Sequence, residues 1–220
     1  MSLEVIEIET APNPTASIIV LHGLGADGND FVPVAEELDL ASVGPVRFVF
    51  PHGPTRPVTI NGGYVMRAWY DILGTDLARR EDEAGLRESQ ALVEELIAGE
   101  TARGIKSSRI VLAGFSQGCA MTFMAGLRHK QRLGGLLGMS GYLPLADKTA
   151  AERSAANADV PIFQAHGSAD PVIAIARAVA SRDALRALGY TVDWHEYAMQ
   201  HSVCAAEVAE MNRWLLRVLG

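Results

Sequence analysis

Short apolar runs alternate along the chain with longer segments whose apolar residues recur at helical spacing. Leu3–Glu9 sets Leu3, Val5, Ile6 and Ile8 against Glu4, Glu7 and Glu9, the pattern of an antiparallel or edge strand with one wet face. Ala11-Pro12-Asn13-Pro14 breaks it as a turn. Ser17–Leu21 and Arg47–Phe50 are apolar almost throughout, as strands buried on both faces are, and Asp30–Leu40 between them has helical spacing. Pro51–Gly74 is the longest stretch read as irregular. Its three prolines and Asn61-Gly62-Gly63 interrupt any regular element, yet it carries Met66, Trp69, Tyr70, Ile72 and Leu73. Arg79–Arg103 then reads as a long amphipathic helix, with Leu86, Leu92, Val93, Leu96 and Ile97 on one face.

The alternation continues to the end. Arg109–Phe115, Leu133–Met139, Val160–His166 and Thr191–Tyr197 are strand-like. Gln117–His129, Ile173–Leu188 and Val203–Leu219 are helical, and Gly141–Asn157 is mixed with late helical character. Strand and helix in turn imply right-handed crossover units and a mostly parallel sheet with helices on both faces. No composition break or internal repeat divides residues 1–220, so one α/β domain is expected. Ligands in such sheets bind beyond the carboxyl ends of the strands. Polar residues just after strands therefore matter most.

Four such positions carry catalytic residue types. His22-Gly23-Leu24-Gly25 follows Ser17–Leu21, and Ser116 follows Arg109–Phe115. Asp170 lies four residues after His166, and His201 four after Tyr197. Gly114-Phe115-Ser116-Gln117-Gly118 is a Gly-x-Ser-x-Gly stretch between strand and helix, the nucleophile elbow. The serine there adopts strained backbone angles that lift Oγ clear, and the flanking glycines avoid clashes. A serine hydroxyl needs a base within reach and a carboxylate to orient that base. The order Ser116, Asp170, His201 is that of the α/β hydrolases. Leu24 and Gln117 are the expected backbone donors to an oxyanion. His22 is an orienting residue, His166 a support of the Asp170 loop, and His195 structural within its strand. His129 is read as a solvated or helix-end charge, and His52 lies near the site. Asp159 and Asp193 are surface residues.

Other chemistries fare worse. Gly23-Leu24-Gly25-Ala26-Asp27-Gly28 matches a dinucleotide-binding pattern in form, but no helix opens from the glycines and no ribose-binding acid follows at the required distance. The net charge of −7, with no basic cluster, argues against nucleic acid. Cys119 and Cys204 form neither a disulfide framework nor a metal-ligand spacing, and read as small core residues of a reducing compartment. No window has the length of a membrane span, and Met1–Pro14 does not read as a signal peptide. A soluble cytoplasmic protein is expected.

"LHGLGADGNDFVP", "FPHGPTRPVTINGGYVMRAWYDI", "GFSQGCAM", "HGSADPVI" and the late His201 together resemble the small carboxylesterase/acyl-protein thioesterase family of α/β hydrolases, and look most like its bacterial carboxylesterases. The resemblance covers nearly the whole chain. It implies a lidless α/β-hydrolase fold and a cytoplasmic serine hydrolase with no metal or other cofactor. The substrates implied are carboxylic esters, acyl thioesters or lysophospholipids, either small molecules or acylated proteins. Many members are homodimers. The resemblance carries the triad onto Ser116, Asp170 and His201 and the oxyanion donors onto Leu24 and Gln117. Met66, Trp69, Ile72 and Leu73, with Leu143 and Val172, are expected to flank the acyl chain. Cys119 departs from the glycine common at that place. The alternatives are a short-peptide serine hydrolase and a non-catalytic binding protein of the same fold.

Overall fold

The computed structural model describes residues 3–74 and 81–220. In chain order its strands are β1 (Val5–Glu9), β2 (Ala16–Leu21), β3 (Val46–Pro51), β4 (Thr55–Val58), β5 (Tyr64–Arg67), β6 (Ile110–Phe115), β7 (Gly135–Met139), β8 (Ile162–Gly167) and β9 (Val192–Tyr197). The helices are α1 (Val32–Glu36), α2 (Glu83–Ala102), α3 (Gln117–Gly126), α4 (Ala146–Glu152), α5 (Ile175–Ala187) and α6 (Ala205–Leu219). Seven strands form one sheet in the order β1-β3-β2-β6-β7-β8-β9. Only β1 runs antiparallel to its neighbour, β3, and the other pairings are parallel.

Burial follows the pattern read from sequence. Every residue of β2, β3 and β7 is buried, whereas edge strand β1 keeps Glu7 and Glu9 at the surface. One apolar core lies between the sheet and α2, α3 and α5, the other between the sheet and α1 and α6. All ten residues of α3 are buried, which is why that helix is built of small and soft side chains.

Two expectations are corrected. The helix expected over Asp30–Leu40 contracts to Val32–Glu36. Phe31 at its N-cap supplies no side-chain cap, no basic residue supports its last turn, and no helical residue is buried enough to extend it by packing. Pro51–Gly74, expected to be irregular, contains the antiparallel pair β4·β5, with Thr55 opposite Arg67 and Val58 opposite Tyr64. Asn61-Gly62-Gly63 lies within the connection between the two strands rather than ending regular structure. The start expected for the long helix, at Arg79, lies outside the described residues. Within them α2 begins at Glu83, where the Asp82 carboxylate accepts the Gly85 N–H at 3.0 Å.

Candidate active site

Ser116 sits at the tip of β6 with φ 55° and ψ −114°, a conformation that L-residues rarely adopt. Packing holds it there. A Cβ on Gly118 would lie 2.0 Å from the Leu21 carbonyl oxygen, and one on Gly114 would lie 2.2 Å from the Gly118 oxygen. Only glycine lets β6 turn into α3 this close to β2. The Ser116 N–H donates to the Met139 carbonyl at 2.9 Å, tying the elbow to the end of β7.

His201 and Asp170 come from the loops after β9 and β8. These loops run together as a continuation of the strand pairing. Ser168 N–H donates to the Tyr197 oxygen at 2.8 Å, and Ala169 N–H to the Met199 oxygen at 3.1 Å. Gly167 permits this, because a Cβ there would meet the Met199 and Gln200 oxygens at 2.4 Å. The result is a hydrogen-bonded chain. Ser116 Oγ donates to His201 Nε2 at 2.9 Å, and His201 Nδ1 donates to Asp170 Oδ2 at 2.6 Å. The other carboxylate oxygen, Oδ1, accepts the Val172 and Ile173 N–H groups at 2.8 and 2.9 Å. The Asp170 side chain is fully buried and His201 remains partly accessible. Phe115 packs on the imidazole, its ring centre 4.7 Å away. His166 lies beneath the carboxylate, with Nε2 3.4 Å from Asp170 Oδ2 and donating to the Ile173 oxygen at 2.8 Å. Burial lowers the His166 pKa, so a neutral ring supports the acid loop.

The turn after β2 passes directly beside the serine, since a Cβ on Gly23 would stand 3.4 Å from Ser116 Cβ. His22 is fixed in one tautomer: Nδ1 donates to the Gly23 oxygen at 2.7 Å and Nε2 accepts the Gly53 N–H at 2.9 Å. Burial lowers its pKa too, and it orients the turn. Among the described residues, no protein acceptor takes the backbone N–H of Leu24 or of Gln117. Both belong to stretches packed against Ser116.

The Phospholipase/Carboxylesterase family model matches residues 3–219. The chain belongs to that family. Among its relatives are acyl-protein thioesterase 1 of Yarrowia lipolytica, 40% identical over 206 residues and 91% of each chain, and that of Neurospora crassa, 40% identical over 210 residues, 91% of this chain and 86% of the relative. Similar solved structures include Arabidopsis thaliana SOBER1, at TM-score 0.88 and 28% identity over 93% of this chain and 99% of that one. Zea mays acyl-protein thioesterase 2 has TM-score 0.86 and 29% identity over 98% and 99%. The fold is that of the α/β hydrolases, and the chain is an ester-cleaving serine hydrolase.

In this carboxylesterase-family chain the residues expected along the acyl group divide. Met66 is half-buried and lies beside the turn after β2, with Sδ 3.8 Å from where a Gly25 Cβ would stand. Ile72 is half-buried, Leu73 is exposed, and Val172, two residues beyond Asp170, is 66% exposed. Trp69 and Leu143 depart from the expectation. Trp69 is 0% exposed. Its indole N–H donates to the His22 oxygen at 2.9 Å, and its backbone N–H donates to Gln117 Oε1 at 2.7 Å. Leu143 is buried in the core, its N–H held by Ser181 Oγ at 2.9 Å. Both side chains are buried rather than exposed at the surface.

The sequence reading missed the Gln117 side chain, which also donates from Nε2 to the Tyr70 oxygen at 2.7 Å and so straps the Trp69–Tyr70 segment to the elbow. An amide beside Ser116 was the available signal. His129, expected to be solvated or a helix-end charge, is buried and bonded to Glu94 at 2.6 Å. Among the described residues no three His, Cys, Asp or Glu side chains gather as metal ligands.

Proposed function

We propose that the chain hydrolyses carboxylic esters and acyl thioesters through an acyl-enzyme on Ser116. The single observation that carries this reading is the chain Ser116 Oγ, His201, Asp170, with the serine held at positive φ. Ser116 Oγ attacks the acyl carbonyl while His201 Nε2 takes its proton. Asp170, fixed by two backbone N–H groups, holds the Nδ1–H tautomer and stabilises the imidazolium. The Leu24 and Gln117 N–H groups receive the oxyanion, each contributing about 3 kcal/mol to lowering the barrier. His201 then protonates the leaving alcohol or thiol, and water repeats the sequence to release the acid.

The acyl chain runs along Met66, Ile72, Leu73 and Val172, with Trp69 and Leu143 packed behind. An acylated protein is the substrate class favoured, because the relatives named above are acyl-protein thioesterases and the β4·β5 hairpin carries exposed apolar residues (Ile60, Tyr64, Val65). A homodimer is the expected assembly, which sedimentation analysis would test. Residues 1–220 act as one α/β-hydrolase domain. No helix among the described residues is long and apolar enough to cross a membrane, and both cysteines are free. A cytoplasmic enzyme fits these features.

The test is initial rates on nitrophenyl esters and acyl-thioester peptides of increasing chain length, with Ser116→Ala beside the wild type. A loss of about 10³-fold or more on every substrate is expected. Undiminished activity in Ser116→Ala would overturn the assignment.

A further inference from the structure

The loop that carries His201 ends at Cys204, the N-cap of α6, and Glu207 is the third residue of that helix. An acid at this place commonly reaches back to the cap N–H from the surface. Glu207 has that Cys204 N–H near its carboxyl, but it is 0% exposed and no side chain partners either oxygen among the described residues. The loop begins after Tyr197, whose hydroxyl is also buried without a partner and lies within the field of Glu207. Cys119, one turn into α3 from Ser116, feels the same field. An acid that no reaction step uses thus lies buried beside the cap at which the His201 loop ends. A charge in that place, with no cation beside it, is strongly disfavoured.

We propose that Glu207 is a positioning residue for His201: uncharged, it packs beneath residues 198–204 and keeps the imidazole in register with Ser116, and its ionisation releases that loop. The proposal rests on the reading of His201 as the general base. Burial raises the Glu207 pKa to about 8, and among the described residues the nearby Cys204 N–H opposes it. The titratable groups facing it are Tyr197 from β9, Cys119 from α3 and Cys204 at the cap. Cys119 and Tyr197 are themselves pushed upward by burial, so neither offers a charge to compensate. Glu210 and Arg213, farther along α6, are paired with each other at the surface.

The experiment is kcat/KM for a short-chain ester between pH 6 and 10, followed by acid release, for wild type, Glu207→Gln and His201→Ala. At pH 9 about a tenth of the uncharged form remains, so wild-type kcat/KM should fall about tenfold from its pH 7 value. Glu207→Gln, neutral and of the same shape, should keep most of the pH 7 activity and lose that alkaline fall. An unchanged alkaline fall in Glu207→Gln would overturn the proposal. Full activity in His201→Ala would instead remove His201 from the reaction. Hydrogen exchange on the wild type gives a second readout independent of any variant. Amides of residues 198–204 should lose protection between pH 7 and 9, beyond the intrinsic rate, while those of β6 do not. Equal protection at both pH values would also overturn it.

Discussion

At the scale of single residues, the site depends on places where one atom more would not fit. A methyl group on Gly118 would stand 2.0 Å from the Leu21 oxygen, and neither partner is the end of a flexible side chain. Gly118→Ala is therefore expected to unfold at much lower denaturant concentration, losing about 3 kcal/mol or more, with activity falling in the fraction that folds. Urea unfolding measures it, and a midpoint equal to wild type would show that the elbow can relax. Gln117 poses a different question, because its backbone is the proposed donor while its side chain straps Trp69 and Tyr70. Gln117→Ala keeps the N–H but leaves two buried backbone groups unpaired, a cost of about 1–3 kcal/mol each. The expected outcome is a lower Tm together with a drop in kcat. A kcat loss with unchanged Tm would place the side chain in the chemistry instead.

Among the elements, α2 and the segment before it are joined through one carboxylate. Asp82 Oδ1 caps α2 at the Gly85 N–H, and Oδ2 accepts the Asp71 N–H at 2.8 Å. Asp71 in turn accepts from the Thr59 N–H at 2.7 Å, so the cap, the 71–74 segment and the connection between β4 and β5 form one tie. Asp82→Ala should lose about 1–2 kcal/mol of stability from the cap alone. It should also raise KM for long-chain esters more than for short ones, because Ile72 and Leu73 lose their anchor. A uniform effect across chain lengths would detach this segment from acyl recognition. The hairpin itself illustrates why the element was not evident beforehand. Pro57 and the Asn-Gly-Gly run are signals against a strand when read one residue at a time. The β4·β5 pair stands apart from the main sheet, so no central ladder needs the missing Pro57 N–H.

For the whole molecule, stability against pH follows from groups buried on opposite sides of neutrality. His22 and His166 are lowered from their ordinary 6.5 by burial. Unfolding lets them take up protons, so their contribution is complete above 6.5 and is lost as pH falls through the folded values. Glu207 is raised from 4.5 to about 8, so its contribution is lost as pH rises towards that value. Melting temperature should therefore peak near pH 6.5, roughly where the two trends cross, and decline on both sides. Scanning calorimetry from pH 5 to 9 checks this, and a curve that climbs steadily through pH 8 would contradict it.

The chain by itself determined the alternation of strand and helix, the edge character of β1, and the elbow with its two glycines. It also determined the order in which serine, acid and base follow their strands. These are local matters: side-chain period, backbone freedom and the few residues after a strand's end. The tertiary structure alone decided the fate of side chains whose sequence neighbours look alike. Trp69 lies wholly inside while Val172 is exposed, although both are apolar residues of loops two positions from a charged one. His129, in a run of charges, is covered by Glu94 on α2. Glu207 is one of the two acids on an amphipathic helix, and it becomes a buried carboxyl without a side-chain partner among the described residues only when α6 closes against the sheet. Burial is set by what packs from distant parts of the chain, and no local pattern records it.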